Sequence, residues 1–236
     1  MLFFDVRVII YFMTDGQKLR AVLFDLDGTL IDSSQIWREV DEEFFARRNM
    51  PVPEGYQQNI AHLGFRECAA FTVRNYLPKE EESAIIAEWH EMSLSKYRAK
   101  DGSRYFKPGA VSFVQKLKNA GYFLCVATAS SPDFFLPVLR SGGIEGLFDA
   151  FATVEDAGKN KSFPDIFLLA AERLGVQPEE CAVFEDNLAA LRAAKSAGMF
   201  TAAVFDGQEI SVEEALKRES ALFVRSFESF DDSKFF

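Results

Sequence analysis

Histidine is nearly missing from this chain: His62 and His90 are the two among 236 residues. A His-centred catalytic triad or a His-ligated zinc site therefore has little to be built from. Cysteine is almost as scarce. Cys68, Cys125 and Cys181 show no CxxC spacing and stand in mostly apolar surroundings, so they read as buried thiols of a reducing compartment, and a cytoplasmic location is expected. Positive charge is short as well. With 26 Lys and Arg against 36 Asp and Glu, the net charge is −10, which argues against nucleic acid as a partner because phosphate backbones require basic patches. The apolar start, residues 1–12, is too short and too charged for a membrane span and lacks the basic start and small-residue cleavage site of a signal peptide. It reads as a dispensable extension ahead of Met13.

What the chain does have is apolar mass. Hydrophobic residues make up 48%, with 25 phenylalanines, enough for a well-filled interior and against disorder. The length suits one large or two small domains. From Gly109 onward helical and strand patterns alternate: helix over 111–117, strand over 122–127, helix over 131–141, strand over 150–153, helix over 163–174, strand over 181–184, helix over 188–197, then strands over 201–205 and 221–224. Strict alternation predicts right-handed βαβ units and a doubly wound parallel sheet covered on both faces. Residues 33–102 carry helical spacing without a strand pattern, with segments over 33–49, 55–77 and 80–97. They read as a helical cap inserted into a core made of 13–32 and 103–236, with hinges near Asp32–Ser33 and Asp101–Ser103.

Polar residues collect at the predicted strand ends. Asp25-Leu26-Asp27-Gly28-Thr29 follows the buried run 21–24, so two carboxylates emerge where open α/β sheets bind ligands. They point the same way along an extended chain and repel unless a cation or proton is shared. Thr128-Ala129-Ser130 follows the second strand. Hydroxyls and free N–H groups there suit an anion, or equally a helix N-cap. Lys161, with Lys159 beside it, precedes a helix, where a lone lysine is commonly solvated. Glu185-Asp186-Asn187 ends another strand. That acidic pair either caps a helix or joins Asp25 and Asp27 in a hard-metal site, since Mg²⁺ prefers carboxylate and water oxygens.

The order Asp25-x-Asp27-Gly28-Thr29, then Thr128, then Lys161, then Glu185-Asp186 resembles the four motifs of the haloacid dehalogenase superfamily over nearly all of residues 19–230. Pro108-Gly109, Phe163-Pro164-Asp165 and Ala197-Gly198-Met199 support it. The inserted helices resemble the C1 cap of its phosphoglycolate phosphatase and β-phosphoglucomutase-like branch. The resemblance implies a Rossmann-like core and a phosphatase acting on a small phosphomonoester such as a sugar phosphate. Asp25 would be the nucleophile that forms an aspartyl-phosphate, and Asp27 the acid and base. Mg²⁺ would be held by the Asp25 carboxylate, the Asp27 carbonyl, Asp186 and Glu185. Thr128, the N–H of Ala129, Ser130 and Lys161 would bind phosphate. Arg66 either greets a substrate anion or is a solvated helix-start charge. Asp27 stands where the name-giving dehalogenases lack an acid, which favours phosphoryl transfer. Trp37 stands ten residues after Asp27, where β-phosphoglucomutases carry a His, which weakens a mutase reading. A catalytically silent binding protein on the same scaffold is the remaining alternative, and a monomer is expected.

Overall fold

The computed structural model describes residues 19–60, 65–98 and 102–229. The extension 1–12, His62, Asp101 and the terminal phenylalanines Phe230, Phe235 and Phe236 lie outside the described residues. In chain order the elements are β1 (Ala21–Phe24), α1 (Ser33–Ala46), α2 (Tyr56–Ile60), α3 (Phe65–Asn75), α4 (Glu82–Tyr97), α5 (Ala110–Asn119), β2 (Phe123–Thr128), α6 (Pro132–Ser141), β3 (Ala150–Thr153), α7 (Val154–Ala157), α8 (Asp165–Leu174), β4 (Cys181–Glu185), α9 (Leu188–Ser196), β5 (Phe200–Val204), α10 (Ile210–Glu219) and β6 (Leu222–Val224). The six strands form one parallel sheet in the order β3-β2-β1-β4-β5-β6.

The order explains where a site can form. The chain winds outward from β1 through β2 to β3, then returns to the other side of β1 with β4 and winds outward again. Such a reversal opens a crevice at the carboxyl ends of the central strands. Alternation along each strand divides the core between the two faces. Ala21, Leu23, Cys125, Ala127, Cys181 and Val183 pack beneath α8 and α9, while Val22, Phe24, Leu124, Val126 and Phe184 face the other way. On that second face Phe24 stacks on Phe184 at 5.1 Å between ring centres, Phe113 of α5 meets Phe184 edge-on, and Phe227 stacks on Phe113 at 5.4 Å. Gly109, at φ +81°, lets α5 start beneath this tail, because a Cβ there would lie 2.6 Å from the backbone of Phe227 and Glu228.

Helices α1 to α4 occupy the insertion after β1. The apolar stripe Ile36, Val40, Phe44 and Phe45 of α1 is buried, as its spacing predicts. It packs against α4 through Phe44 and Trp89, with ring centres 5.3 Å apart. Arg48 ties the same helices: its guanidinium pairs with Glu80 and Glu88 at 2.7 Å each, donates to the Phe44 carbonyl and lies 3.7 Å over the Phe44 ring. One apolar cluster runs from the sheet through Leu26, Leu30 and Ile31 into these helices.

Several boundaries differ from the sequence reading. Thr128 belongs to β2, paired with Thr153, and Glu185 to β4, paired with Ala203. α8 begins at Asp165 because Pro164 caps it, leaving Phe163 half exposed ahead of the helix. α7 and α10 are helices that the sequence reading lacks. Cys125 and Cys181 are buried, with burial pushing both thiols up to about 12, whereas Cys68 is only half-buried. No described helix is long and apolar enough to cross a membrane.

Candidate active site

β1 delivers Asp25 to the crevice by simple register. Phe24 sits opposite Val126 on one side and Phe184 on the other, and the Asp25 N–H continues the ladder to the Phe184 carbonyl at 3.0 Å. The carboxylate thus projects between two strand ends. β4 brings Glu185 up beside it, and the loop before α8 swings Lys161 across both. Lys161 Nζ lies 2.5 Å from Asp25 Oδ1 and 2.6 Å from Glu185 Oε2. All three side chains are nearly buried.

Asp27 is held from two directions. Ser130 donates its hydroxyl to Oδ2 at 2.5 Å, and Tyr97, the last residue of α4, donates to Oδ1 at 2.8 Å. The next residue, Gly28, turns the chain at φ +86°. A side chain there would be strained, and its Cβ would meet Asp186 Oδ2 at 2.6 Å and Asp206 Oδ2 at 2.9 Å. Glycine is required at that point both for the turn and for the close approach of two carboxylates. Thr29 donates to Asp186 Oδ1 at 3.2 Å, and Gln208 donates to the Asp186 carbonyl.

Thr128 is buried at the end of β2, where its hydroxyl oxygen accepts the Ser130 N–H at 3.0 Å. Ala129, Asp25, Asp27, Lys161, Glu185 and Asp186 line a cleft of about 380 Å³. Three of the predicted residues, Thr128, Ser130 and Arg66, are not among those lining it. Arg66 is exposed in the first turn of α3 and is not among the described residues lining this cleft. Ser130 is engaged with Asp27. Asn187 caps α9, accepting the N–H groups of Ala189 and Ala190. His90 is exposed and meets Phe134 edge-on at 5.0 Å.

Two neighbours of these groups were not singled out in the sequence. Asp206 follows β5 and pairs with Lys107 at 2.7 Å. Applying the strand-end rule to the fifth strand would have found it. Tyr97 reads in sequence only as the apolar end of a helix, and nothing in its spacing signals Asp27 as its partner.

The charges are unbalanced. Asp25, Asp27, Glu185, Asp186 and Asp206 converge on Lys161 and Lys107. Burial, then the Asp25 charge, raises Asp27 above the usual carboxylate range, against the pull of Ser130 and Tyr97. Burial, with Asp25 adding to it, pushes Glu185 up to about 7 despite Lys161. Asp186 is raised by burial and by Asp25, Glu185 and Asp206. Burial opposes the charge on Lys161, but Asp25 and Glu185 outweigh it and hold the ammonium firmly protonated. One oxygen from each of Asp25, Glu185 and Asp186 lie within 4.8 Å of one another. An all-carboxylate donor set with excess negative charge fits a hard divalent cation.

A family model for haloacid dehalogenase-like hydrolases matches residues 19–198. The chain is 31% identical over 194 residues to hexitol phosphatase A of Escherichia coli, covering 79% of this chain and 83% of that protein. It is 28% identical over 215 residues to the beta-phosphoglucomutase of Bacillus subtilis, covering 86% and 91%. The crystal structure of CbbY from Rhodobacter sphaeroides in complex with xylulose-(1,5)bisphosphate superposes with a TM-score of 0.68 at 26% identity, over 90% of this chain and 96% of that one. With the four groups gathered at the cleft, the parallel sheet and these matches in agreement, this chain belongs to the haloacid dehalogenase-like hydrolase family.

Proposed function

We propose that this protein is a Mg²⁺-dependent phosphatase that hydrolyses a small phosphomonoester through an aspartyl-phosphate on Asp25, with residues 33–102 acting as a cap over the core. The observation that carries this is the division between the two aspartates of one strand end. Asp25 faces the buried ammonium of Lys161, whereas Asp27 is raised and held by two hydroxyls. A carboxylate kept beside a cation suits a nucleophile. A carboxyl that holds its proton more tightly than usual suits an acid for the departing oxygen.

The steps follow from those positions. An Asp25 oxygen attacks phosphorus in line with the ester oxygen, and the Asp27 proton passes to that oxygen as the bond breaks. Water then enters, gives a proton to the Asp27 carboxylate and attacks the acyl phosphate, returning Asp25 and releasing phosphate. Lys161 counters the charge that the phosphoryl group brings against Asp25 and Glu185. Ala129 lines the same cleft, and its N–H, with the Thr128 hydroxyl at the end of β2, suits phosphoryl oxygens. When bound by Asp25, Asp186, Glu185 and the Asp27 carbonyl, Mg²⁺ supplies positive charge to the anionic phosphoryl group. Helices over the crevice keep bulk water from the acyl phosphate.

Similarity to a beta-phosphoglucomutase makes isomerisation the competing reading, and Trp37 in place of a histidine weighs against it. The experiment is phosphate release from p-nitrophenyl phosphate and a panel of sugar phosphates, with Mg²⁺ and with chelator. Mg²⁺-dependent hydrolysis that Asp25→Asn abolishes while the fold persists is the expected result. Isomerisation of β-glucose 1-phosphate outpacing hydrolysis would replace phosphatase with mutase, and no turnover of any ester would leave a binding protein.

A further inference from the structure

One acid beside the cleft stands outside the set suited to hold Mg²⁺. Asp25, Glu185 and Asp186 each offer an oxygen within 4.8 Å of one another, and Asp206 does not belong to that group. Yet the fold turns it toward them. A Cβ on Gly28 would lie 2.6 Å from Asp186 Oδ2 and 2.9 Å from Asp206 Oδ2, so two carboxylates meet across a residue without a side chain. Like charges that close repel, and the surroundings hold Asp206 against the repulsion. Lys107 Nζ takes Asp206 Oδ1 at 2.7 Å and donates to the Phe205 carbonyl at 2.8 Å. The Lys107 N–H donates to the Leu30 carbonyl at 2.9 Å, which fixes that base to the turn carrying Gly28. Gln208 accepts the Asp206 N–H at 2.7 Å and donates to the Asp186 carbonyl at 3.1 Å, tying the loop after β5 to the end of β4.

Resting on the phosphatase reading, we propose that Asp206 is a positioning residue for Mg²⁺: its Oδ2 accepts a hydrogen from a water that the ion keeps beside Asp186, and Lys107 holds it there. Mg²⁺ gives up water reluctantly and is commonly held through few carboxylates. The hydrogens of its waters need acceptors beyond the ligands, and such outer partners orient the inner ones. Asp206 does not bind the ion directly, because the Lys107 ammonium at 2.7 Å engages its other oxygen and offsets its charge. Water has access to it. The Asp206 side chain is 27% exposed and borders a cavity of about 500 Å³ that extends to Asp41 and Trp89. A carboxylate that served Lys107 alone would gain nothing by facing Asp186, since turning to solvent would relieve the repulsion.

Mg²⁺ is titrated calorimetrically into the full chain after chelator treatment, and Tm is read in chelator. In Asp206→Asn the amide oxygen still accepts from Lys107, but the acceptor facing Asp186 is lost. Its Mg²⁺ dissociation constant should rise about tenfold, the low end of the ~10–100-fold that outer partners are worth. Its Tm in chelator should not fall below that of the wild type, one repelling charge being gone. Asp32→Asn is the control: it removes another acid whose charge bears on Asp206, and asparagine still caps α1. There the constant should move less than about twofold, as expected of a screened charge. An unchanged constant in Asp206→Asn, or an equal rise in Asp32→Asn, overturns the proposal, and Asp206→Ser repeats the measurement if the first variant misfolds. Wild-type protein that neither binds Mg²⁺ nor releases phosphate from p-nitrophenyl phosphate would sink the phosphatase reading and this proposal together. Mg²⁺-dependent turnover with a dissociation constant indifferent to Asp206 would sink the proposal alone.

Discussion

Tyr97 donates to one oxygen of Asp27 while Ser130 donates to the other. The two hydroxyls hold the carboxyl in a fixed orientation, so in the proposed mechanism Tyr97 would be a positioning residue for proton transfer. Tyr97→Phe should lower kcat about tenfold for an alkyl phosphate, part of the ~10²–10⁴-fold that acid–base catalysis supplies. The loss should be much smaller for p-nitrophenyl phosphate, whose leaving oxygen needs no proton. Equal losses on both esters would mean that the bond only orders the fold. Gly28→Ala makes a different demand. A left-handed backbone costs a non-glycine residue roughly 1–2 kcal/mol, and the new Cβ would drive against Asp186. Lower denaturant midpoints together with weakened Mg²⁺ activation are expected. Loss of stability alone would show that Asp186 does not bind the ion.

Among the elements, α1 carries a cost that shows in pH dependence. Burial raises Asp41 from 3.8 to about 6, with Glu42 adding to it and Gln57 opposing. The folded state therefore holds a proton that the unfolded chain has released between about pH 4 and 6. Stability from this group is complete below that window and is lost as pH rises through it. At about 1.4 kcal/mol per tenfold, Asp41→Asn should stabilise the protein by on the order of 1–3 kcal/mol at pH 7 and by much less at pH 4. Thermal unfolding at the two pH values checks this, and a variant that is less stable at both would refute it. α1 and α4 are also joined by Arg48, which is only 17% exposed and serves two carboxylates and a carbonyl. Arg48→Met strands Glu80, leaves Glu88 to Arg47 alone and should cost about 1–3 kcal/mol.

The elements also show what a sequence can and cannot disclose. β1, β3 and the apolar stripe of α1 were legible because burial on both faces or one face writes a period into the residues. Asp25, Thr128 and Glu185 were legible because strand ends converge in any sheet of this winding, whereas Lys161, in the loop before α8, was legible only through its place in the order of motifs. α10 was not: only Ala215 and Leu216 are buried, and Ile210 is 77% exposed, so its pattern is too weak to mark a helix. The Asp27–Tyr97 bond spans 70 residues and depends on how α4 docks. The cavity around Asp41 draws on α1, α2, α3 and α4 together. Neither is written in any local spacing.

For the whole molecule, folding gathers acids faster than it gathers bases. The unfolded chain spreads Asp25, Glu185, Asp186 and Asp206 over more than 180 residues, and the sheet reversal presses them together. Cation binding should consequently appear as stability. Mg²⁺ at about 100 times its dissociation constant would add about 2.7 kcal/mol, read as a rise in Tm that chelator reverses. Asp186→Ala should start from a higher Tm in chelator, having lost one of the repelling charges, and should respond less to Mg²⁺. A shift of the same size in both proteins would mean that the ion binds elsewhere.

The ring pile Phe24–Phe184–Phe113–Phe227 bears on how the protein is handled at the bench. Phe227 is separated from Asp25 by one tier of aromatic rings, for Phe24 and Phe184 are followed directly by Asp25 and Glu185. Cutting the polypeptide just ahead of Phe227 would remove the keystone from beneath Asp25 and Glu185 and uncover Gly109. A shortened clone ending at Ser226 should therefore purify as a loosened protein, with a lower Tm than the full chain.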